Sequence, residues 1–329
     1  TEISRMNSAE PMPSMLQEPA DFSLVLGGPL YQLWSKAHLG GDAVKVVMRR
    51  ILVAMALAWL PLLGLSLVSG TAWGDSVNLS FFHDIEMHVR LLIALPVLIL
   101  AELIVHQRMR PMVGHFLKSG LITDATLSSF DAAVKSAMNL RNSVTAEVLL
   151  LVLVYSVGVF VVLPAQVGFT TSAWYGSAQD GAAQLSLAGW WMGLVSLPLF
   201  QFILLRWYFR LFIWARFLWQ VSRLQLNLMP MHPDRAGGLG FLGGVSQAFA
   251  PVLVAQGALL AGLMANRMFF AGATLVEFKF EVAGLVAVMV FAVLGPLMVF
   301  APALAAARRM GMREYGALAH RYAMEFDRK

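Results

Sequence analysis

The sequence predicts an all-α polytopic integral membrane protein with six transmembrane helices, amphipathic interfacial helices and long cytoplasmic helical extensions. Two observations predict this fold class. Six apolar stretches each approach the roughly 17–25 residues that a helix needs to cross a bilayer core. Of the 24 Lys and Arg residues, 21 fall in alternate segments outside those stretches, which is the positive-inside pattern of a chain with both termini in the cytoplasm. The stretches are residues 51–70, 90–105, 145–163, 187–205, 247–265 and 282–302.

Composition agrees with a membrane protein and narrows the partners. Hydrophobic residues make up 58% of the chain and charged residues 13%, whereas a soluble domain carries about 25% charged residues. The basic residues lie next to the apolar stretches, so we expect them to meet a lipid bilayer with anionic headgroups and expect no nucleic acid partner. The absence of cysteine excludes thiolate nucleophiles and zinc–thiolate sites, and the sequence indicates no cofactor.

The domain organisation follows the same pattern. Residues 1–21 are polar and rich in proline, which predicts a disordered cytoplasmic leader. Residues 22–50 become amphipathic and predict a segment that lies in the membrane interface. The predicted six-span domain is 51–305, its cytoplasmic connections are 106–144 and 206–246, and 306–329 is a cytoplasmic amphipathic helix.

Two helical segments are expected to continue beyond the spans. After a turn at 118–121, Ser128 or Ser129 can cap a helix that continues into the third span without a break. Between residues 186 and 228, Pro198 is the only helix breaker, so a helix there would be about 65 Å long, twice the bilayer core. That helix must project into the cytoplasm or bend along the interface.

Four arginines lie among aromatic residues in the projecting half of that helix. Their spacings of 4, 6 and 7 residues do not form the ladder that a voltage sensor needs, and a lined anion path is a related alternative. An aromatic belt with arginines that snorkel to the interface explains the pattern better. The arginines are Arg206, Arg210, Arg216 and Arg223.

A proline- and glycine-rich segment, MHPDRAGGLGFLGG at 231–244, precedes the fifth span. Pro230 and Pro233 end the preceding helix. The glycines expose backbone N–H groups at the positive end of the next helix, which favours a bound phosphate or headgroup. The alternative is a tight turn locked by contact between Asp234 and Arg235. The residues of this candidate anion- or headgroup-binding turn are His232, Asp234, Arg235, Gly237 and Gly238.

The same segment carries a resemblance to a family. The chain resembles a set of uncharacterised bacterial inner-membrane proteins in its H-P-D-R-A-G-G-L-G-F-L stretch, and in GGPLYQLW, WLPLLGLSL, SLPLFQF and REYGALAHRY. The likeness covers most of the chain. It implies a multi-pass topology in the bacterial inner (cytoplasmic) membrane, and it implies no particular activity.

A cluster of acids and histidines lies at the outer start of the second span. In a helix its members pair one turn apart, which is acceptable spacing for a divalent metal. The alternative is a group of acids favoured by the helix dipole, with histidines at the interface. The cluster consists of His83, Asp84, Glu86 and His88.

Glu102 is the one carboxylate well inside a predicted span, and His106 lies one turn away on the same face. Ionisable groups inside a membrane face a partner or water and mark functional sites by default. The alternative is a Glu102 that pairs with Arg108 or with an arginine of the fourth-span extension. Gln201 and Gln256 are further polar side chains for an aqueous path.

These features favour a homo-oligomeric channel or transport protein. Ion-coupled transporters usually place a carboxylate near the midplane, and no Asp or Glu lies there, so a channel is favoured over such a carrier. The alternatives are a non-catalytic scaffold or subunit, and a membrane-embedded enzyme that acts on a lipid or phosphate headgroup at the cytoplasmic face; no catalytic residue is assigned. For a conducting pore, the outer acids and Glu102 rank cations slightly above anions.

Overall fold

The computed structural model describes residues 23–24, 43–74, 76–158, 172–179 and 182–328. The predicted leader at 1–21 lies outside these residues. So do most of the predicted interfacial segment and the last part of the predicted third span.

The described residues fold into a helical bundle with two ends, which we call the Asp84 end and the Asp234 end after residues found there. Short 3₁₀ turns at Phe81–His83, Gly240–Gly244, Leu275–Phe278 and Gly295–Phe300 join or extend the helices. The helices are α1 (Ala43–Val68), α2 (Ile85–Lys118), α3 (Asp124–Arg141), α4 (Val144–Val157), α5 (Leu187–Ser222), α6 (Val245–Ala271), α7 (Lys279–Leu294) and α8 (Ala301–Asp327).

Among the described residues, five or six helices are long and apolar enough to cross a membrane. By length and composition, five helical segments of the described chain qualify: α1, α2, α5, α6 with its preceding 3₁₀ turn, and the run through α7 and α8. The pair α3 and α4 passes the same test together and is bent by 44°, so the count is six if this pair forms one span. Each of these segments overlaps one of the apolar stretches of the sequence, and residues 159–163 of the third stretch lie outside the described residues.

Several helix boundaries differ from those predicted. The helix of the first span begins at Ala43, so 43–50 belongs to α1 rather than to a separate interfacial segment. The fourth-span helix ends at Ser222 and has 36 residues, or about 54 Å, instead of reaching residue 228. The chain from Leu224 to Asn227 is non-helical.

The connection between the second and third spans is broken rather than continuous. The helix α3 starts earlier than predicted, after a capping box in which the Thr123 N–H donates to Thr126 Oγ1 over 3.1 Å. Ser128 and Ser129 lie within the helix. At the other end, Ser143 is extended and its hydroxyl accepts from the Ala146 N–H at 3.2 Å, so a new helix begins there at the bend.

Prolines distort the spans in a specific way. In α2 and α5, a π-helical turn directly precedes the Leu-Pro pair: the Leu95 N–H donates to Arg90 O and the Leu197 N–H to Met192 O, five residues back in each case. Proline provides no N–H and its ring crowds the carbonyl four residues earlier, which favours this wider turn. In α1, Pro61 leaves the Leu57 carbonyl without a helical donor, and Trp191 Nε1 donates to it over 3.2 Å.

Large aromatic side chains fill the centre of the described bundle. The helix α5 packs against α2, α3, α4 and the 3₁₀ turn Gly295–Phe300, while α6 packs against α2. Trp207 is fully buried and its Nε1 donates to Leu98 O at 2.9 Å, which fixes α5 against α2. The other fully buried aromatic residues of this core include Trp214, Phe116, Phe130, Phe217 and Phe249.

The all-α expectation fails at one place at the Asp84 end. The strands β1 (Gly176–Gln179) and β2 (Ala182–Leu185) form a two-stranded antiparallel sheet in which Gln179 pairs with Ala182. The two residues between them in the sequence are Asp-Gly, a pair typical of a two-residue hairpin. The rest of the described fold is helical apart from its turns and connections.

Candidate functional site

An ion-pair network joins four helices inside the bundle, and we call its five members the charge network: Arg50, Glu102, Glu147, Arg206 and Arg210. The Glu102 carboxylate accepts from Arg210 Nη2 at 2.7 Å and lies 3.6 Å from Arg50 Nη1. Arg206 and Glu147 form a looser pair at 3.6 Å. Because these residues lie on α1, α2, α4 and α5, the network ties the spans together.

The charge network is largely shielded from solvent, and in this it differs from a salt bridge on a protein surface. The side chains of Arg210 and Glu102 are 5% and 18% exposed, and those of Arg206 and Glu147 are both 13% exposed. Arg210 also stacks over the Trp207 ring, with its guanidinium carbon 4.6 Å from the ring centroid. A guanidinium is held well in such a place, because it is planar and pairs with a carboxylate and an aromatic face together.

The prediction that the four arginines snorkel to the membrane interface is therefore only partly correct. Arg206 and Arg210 contact carboxylates within the protein instead of extending to the interface. Arg216 donates to Ser136 Oγ on α3 at 3.0 Å, and Arg223 lies over the Trp219 ring. The sequence pattern identified the arginines. Arg206, Arg210 and Arg216 contact residues on other helices, whereas Arg223 contacts Trp219 of its own helix.

Glu102 faces the protein interior, and its ion-pair partners are arginines rather than His106. It pairs with Arg210 of the fourth-span extension, which was the alternative drawn from the sequence, and with Arg50. His106 Nδ1 lies 2.9 Å from Ser23 Oγ, and the backbone carbonyl of Ser23 accepts from Arg141. Ser23 thereby contacts both α2 and α3.

The two glutamines of the predicted aqueous path lie on different helices. Gln201 is on α5 with its Oε1 beside Gly158 at the end of α4, and Gln256 is buried on α6. Within the described part of the chain, Gln201 Oε1 and Gln256 Nε2 are buried and have no hydrogen-bond partner. Buried polar atoms without a partner are uncommon in folded proteins.

The glycine-rich turn already holds an anion, and that anion is its own aspartate. Asp234 Oδ1 accepts from the N–H groups of Ala236 at 2.8 Å and Gly238 at 3.2 Å, and Oδ2 accepts from Gly240 at 2.8 Å. The amides that the sequence suggested for an external phosphate are thus occupied. Gly240 must be glycine, since a Cβ there would lie 2.8 Å from Asp234 Cβ.

His232 and Arg235 complete the turn. His232 Nδ1 lies 2.7 Å from Asp234 Oδ1 and 3.3 Å from the Asp234 backbone nitrogen. Arg235 adopts a left-handed conformation with φ of 57°, and Gly237 and Gly238 are also left-handed. Burial acts to raise the pKa of the Asp234 carboxyl, but hydrogen bonds from Ala236, Gly240 and Gly238 outweigh it and lower that pKa to about 2. The predicted contact of Asp234 with Arg235 is replaced by these backbone contacts.

The predicted metal cluster is a structural junction. Asp84 is 5% exposed, and it accepts from Met87 N at 3.0 Å, Trp174 Nε1 at 3.0 Å and Asn266 Nδ2 at 2.9 Å. His83 contacts Ser80, His88 Nδ1 contacts the backbone carbonyl of Asp84, and Glu86 pairs with Arg90. Nowhere among the described residues do three such side chains come together in a way that could hold a metal ion.

Two members of the charge network, Arg50 and Glu147, were not identified from the sequence. Arg50 lies one residue before the first predicted span and Glu147 near the start of the third, so both passed as ordinary flanking charges. The sequence feature that could have identified these two residues is their position, since each lies at the edge of an apolar stretch or just inside it.

Comparisons with protein-family models, with curated protein sequences and with solved structures gave no match. The fold and the charge network therefore carry the functional argument by themselves.

Proposed function

We propose that this chain is a channel or transport protein of the bacterial inner membrane, with six spans and both termini in the cytoplasm, that passes small anions and works as a homo-oligomer. The charge network carries the proposal. Ionisable groups within membrane-spanning helices are costly, and where they occur they commonly line the path of a substrate or ion.

The choice of anions reverses the slight preference for cations drawn from the sequence. Glu102 is neutralised by Arg210, with Arg50 close by, and Asp84 accepts three hydrogen bonds, so neither carboxylate is left to attract a cation. Arg206 presents five N–H donors and meets Glu147 only at 3.6 Å. A small anion can therefore bind Arg206 in place of that carboxylate.

Packing supports a path beside the network rather than through the middle of one chain. Fully buried Trp207, Trp214 and Phe249 fill the centre of the described bundle. Arg206 and Glu147 retain some exposure at the side of α5 and α4. A path between protomers along that side reaches the network without displacing the core, which is the reason for a homo-oligomer.

The other two functions receive less support. An enzyme acting on headgroups would depend on His232 and Asp234, and both side chains are engaged in holding their own turn. The ionisable groups inside the spans favour a conducting protein over a scaffold, because such groups commonly line the path of a substrate or ion. We therefore assign no catalytic residue.

Reversal potentials test the proposal. The purified chain in planar bilayers under a potassium chloride gradient should give a reversal potential on the anion side. Arg206→Gln should reduce the anion current several-fold, Arg206→Lys less, and Arg216→Gln, a change on the same helix outside the network, should match the parent. Cation preference, or no current in repeated reconstitutions of the parent, would overturn the proposal.

A further inference from the structure

A shallow recess lies on the surface of α2 at the Asp234 end. Its volume is about 330 Å³, and five of its six lining residues come from one face of α2, with the sixth from the 3₁₀ turn Gly240–Gly244. The lining residues are Gln107, Arg108, Pro111, Met112, His115 and Phe241. It is separate from the charge network and from the turn of Asp234.

The position of the recess along α2 places it at the level of lipid headgroups. The helix has 34 residues, or about 51 Å, against a hydrocarbon core of about 30 Å. Its apolar stretch ends at residue 105, and the recess begins at Gln107. The recess therefore starts where the hydrocarbon ends.

The lining is basic and polar on one side and apolar on the other. Arg108 Nη1 donates to Gln247 Oε1 on α6 at 3.0 Å, which holds the guanidinium group in place and leaves its other N–H groups for a ligand. The His115 ring lies 4.5 Å from the Phe241 ring, centroid to centroid. Pro111, Met112 and Phe241 supply the apolar part.

The Met112 side chain of the recess reaches the start of α6. A Cβ on Gly244 would lie 2.8 Å from Met112 Cε, the flexible end of that side chain. The apolar wall lies next to the basic one within a single small depression. A free inorganic anion would gain nothing from the apolar side chains, whereas the glycerol of a phospholipid can pack against them.

We infer that this recess binds the phosphate of an anionic phospholipid, with Arg108 and His115 on the phosphate oxygens and with Met112 and Phe241 against the glycerol and the first methylene groups. This is a defined site, in contrast to the diffuse attraction of basic residues for a charged membrane surface. It does not depend on the transport proposal, because it concerns binding alone.

Native mass spectrometry of the full chain tests the site. Delipidated protein in detergent is titrated with phosphatidylglycerol, with phosphatidylcholine and with inorganic phosphate. The parent should bind the first lipid about tenfold more tightly than Arg108→Gln does, which is the loss expected for one charged hydrogen bond. Arg108→Lys should be intermediate, and Phe241→Ala should also weaken lipid binding.

Arg110→Gln is the matched control, since it removes the same charge from the same helix outside the recess. Unchanged binding by this variant and no effect of inorganic phosphate on lipid binding would support the site. Equal losses in Arg108→Gln and Arg110→Gln, equal affinity for the two lipids, or displacement of the lipid by inorganic phosphate would overturn it. Thermal unfolding of each variant checks that it is folded.

Discussion

Arg210 on α5 and Glu102 on α2 form a 2.7 Å ion pair although 108 residues separate them in the sequence. The pair lies within two helices that are long and apolar enough to cross a membrane, and Arg210 is 4% exposed. Each charge is thus compensated inside the protein, and the two helices are held at a fixed height relative to each other.

Removing one charge of this pair should cost more than removing both. Glu102→Gln leaves Arg210 buried without its close counter-charge and should lower the free energy of unfolding by about 3 kcal/mol. The double variant Glu102→Gln with Arg210→Gln should recover part of that loss. Thermal unfolding in detergent gives the cycle, and additive effects of the two changes would contradict the pairing.

The carboxylate of Asp234 should stabilise the turn in a pH-dependent manner. Asp234→Ala should lower the free energy of unfolding by about 1 kcal/mol, and Asp234→Asn by less, since an amide oxygen still accepts from the backbone. The exposed Asp327 at the end of α8 provides a control in Asp327→Ala. Equal stability of parent and both Asp234 variants would exclude this role.

The sign of the pH effect follows from the lowered pKa of Asp234. Its pKa in the folded protein, about 2, lies below the ordinary 3.8. The stabilisation is therefore complete well above pH 3.8 and is lost as the pH falls through 3.8 toward 2. The difference in thermal midpoint between parent and Asp234→Asn should shrink over that interval and remain constant at neutral pH.

Asp84 should act through hydrogen bonds rather than through a metal. Asp84→Asn turns an NH₂ group toward the donors that the carboxylate now satisfies, including Trp174 Nε1, and should cost about 2 kcal/mol. A chelator should leave the melting temperature of the parent unchanged. A marked loss of stability with chelator, restored by a divalent metal, would revive the metal site.

The bend between α3 and α4 should depend on its cap. Ser143→Ala removes the acceptor of the Ala146 N–H and should lower the free energy of unfolding by about 1 kcal/mol. Ser129→Ala, an exposed change inside α3, serves as the control and should stay within about 0.5 kcal/mol of the parent. Urea or thermal unfolding in detergent would measure both.

Reporter fusions should establish the orientation. Fusions after Ser177 and after Ala273, both toward the Asp84 end, should report the outer side of the membrane. Fusions after Leu121, Met231 and Lys329 should report the cytoplasm. One reversed site among the five would contradict six crossings with both termini inside.

The spans could be predicted from the sequence, but their partners could not. Hydrophobic length depends on one segment at a time, so the apolar stretches matched the helices that can cross a membrane. The partner of Glu102 depends on how α2 is turned against α5, and that follows from contacts such as Trp207 with Leu98. No pattern local to residues 95–118 contains this information.

The turn at 231–244 shows the same limit at smaller scale. Its glycines and charges predicted a site for an external phosphate or headgroup, whereas the Asp234 carboxylate itself accepts from the N–H groups of Ala236, Gly238 and Gly240. The turn also includes a left-handed Arg235, a conformation that this residue type seldom adopts and that the sequence does not indicate. Similarly, Thr123, Ser128 and Ser129 all suit a helix cap, and only the structure selects Thr123.

The π-helical turns before Pro96 and Pro198 have a rotational consequence. Each closes a hydrogen-bonded ring that contains one residue more than an α-helical ring, and one residue corresponds to about 100° of helix phase. In α2, the contacts of Asp84 lie before the extra residue and those of Glu102 after it. Winding Val89–Ala94 as a regular α-helix without removing a residue would turn Glu102 about 100° away from Arg210 while Asp84 kept its partners, whereas deleting one residue there would leave a regular helix with both sets of contacts in phase.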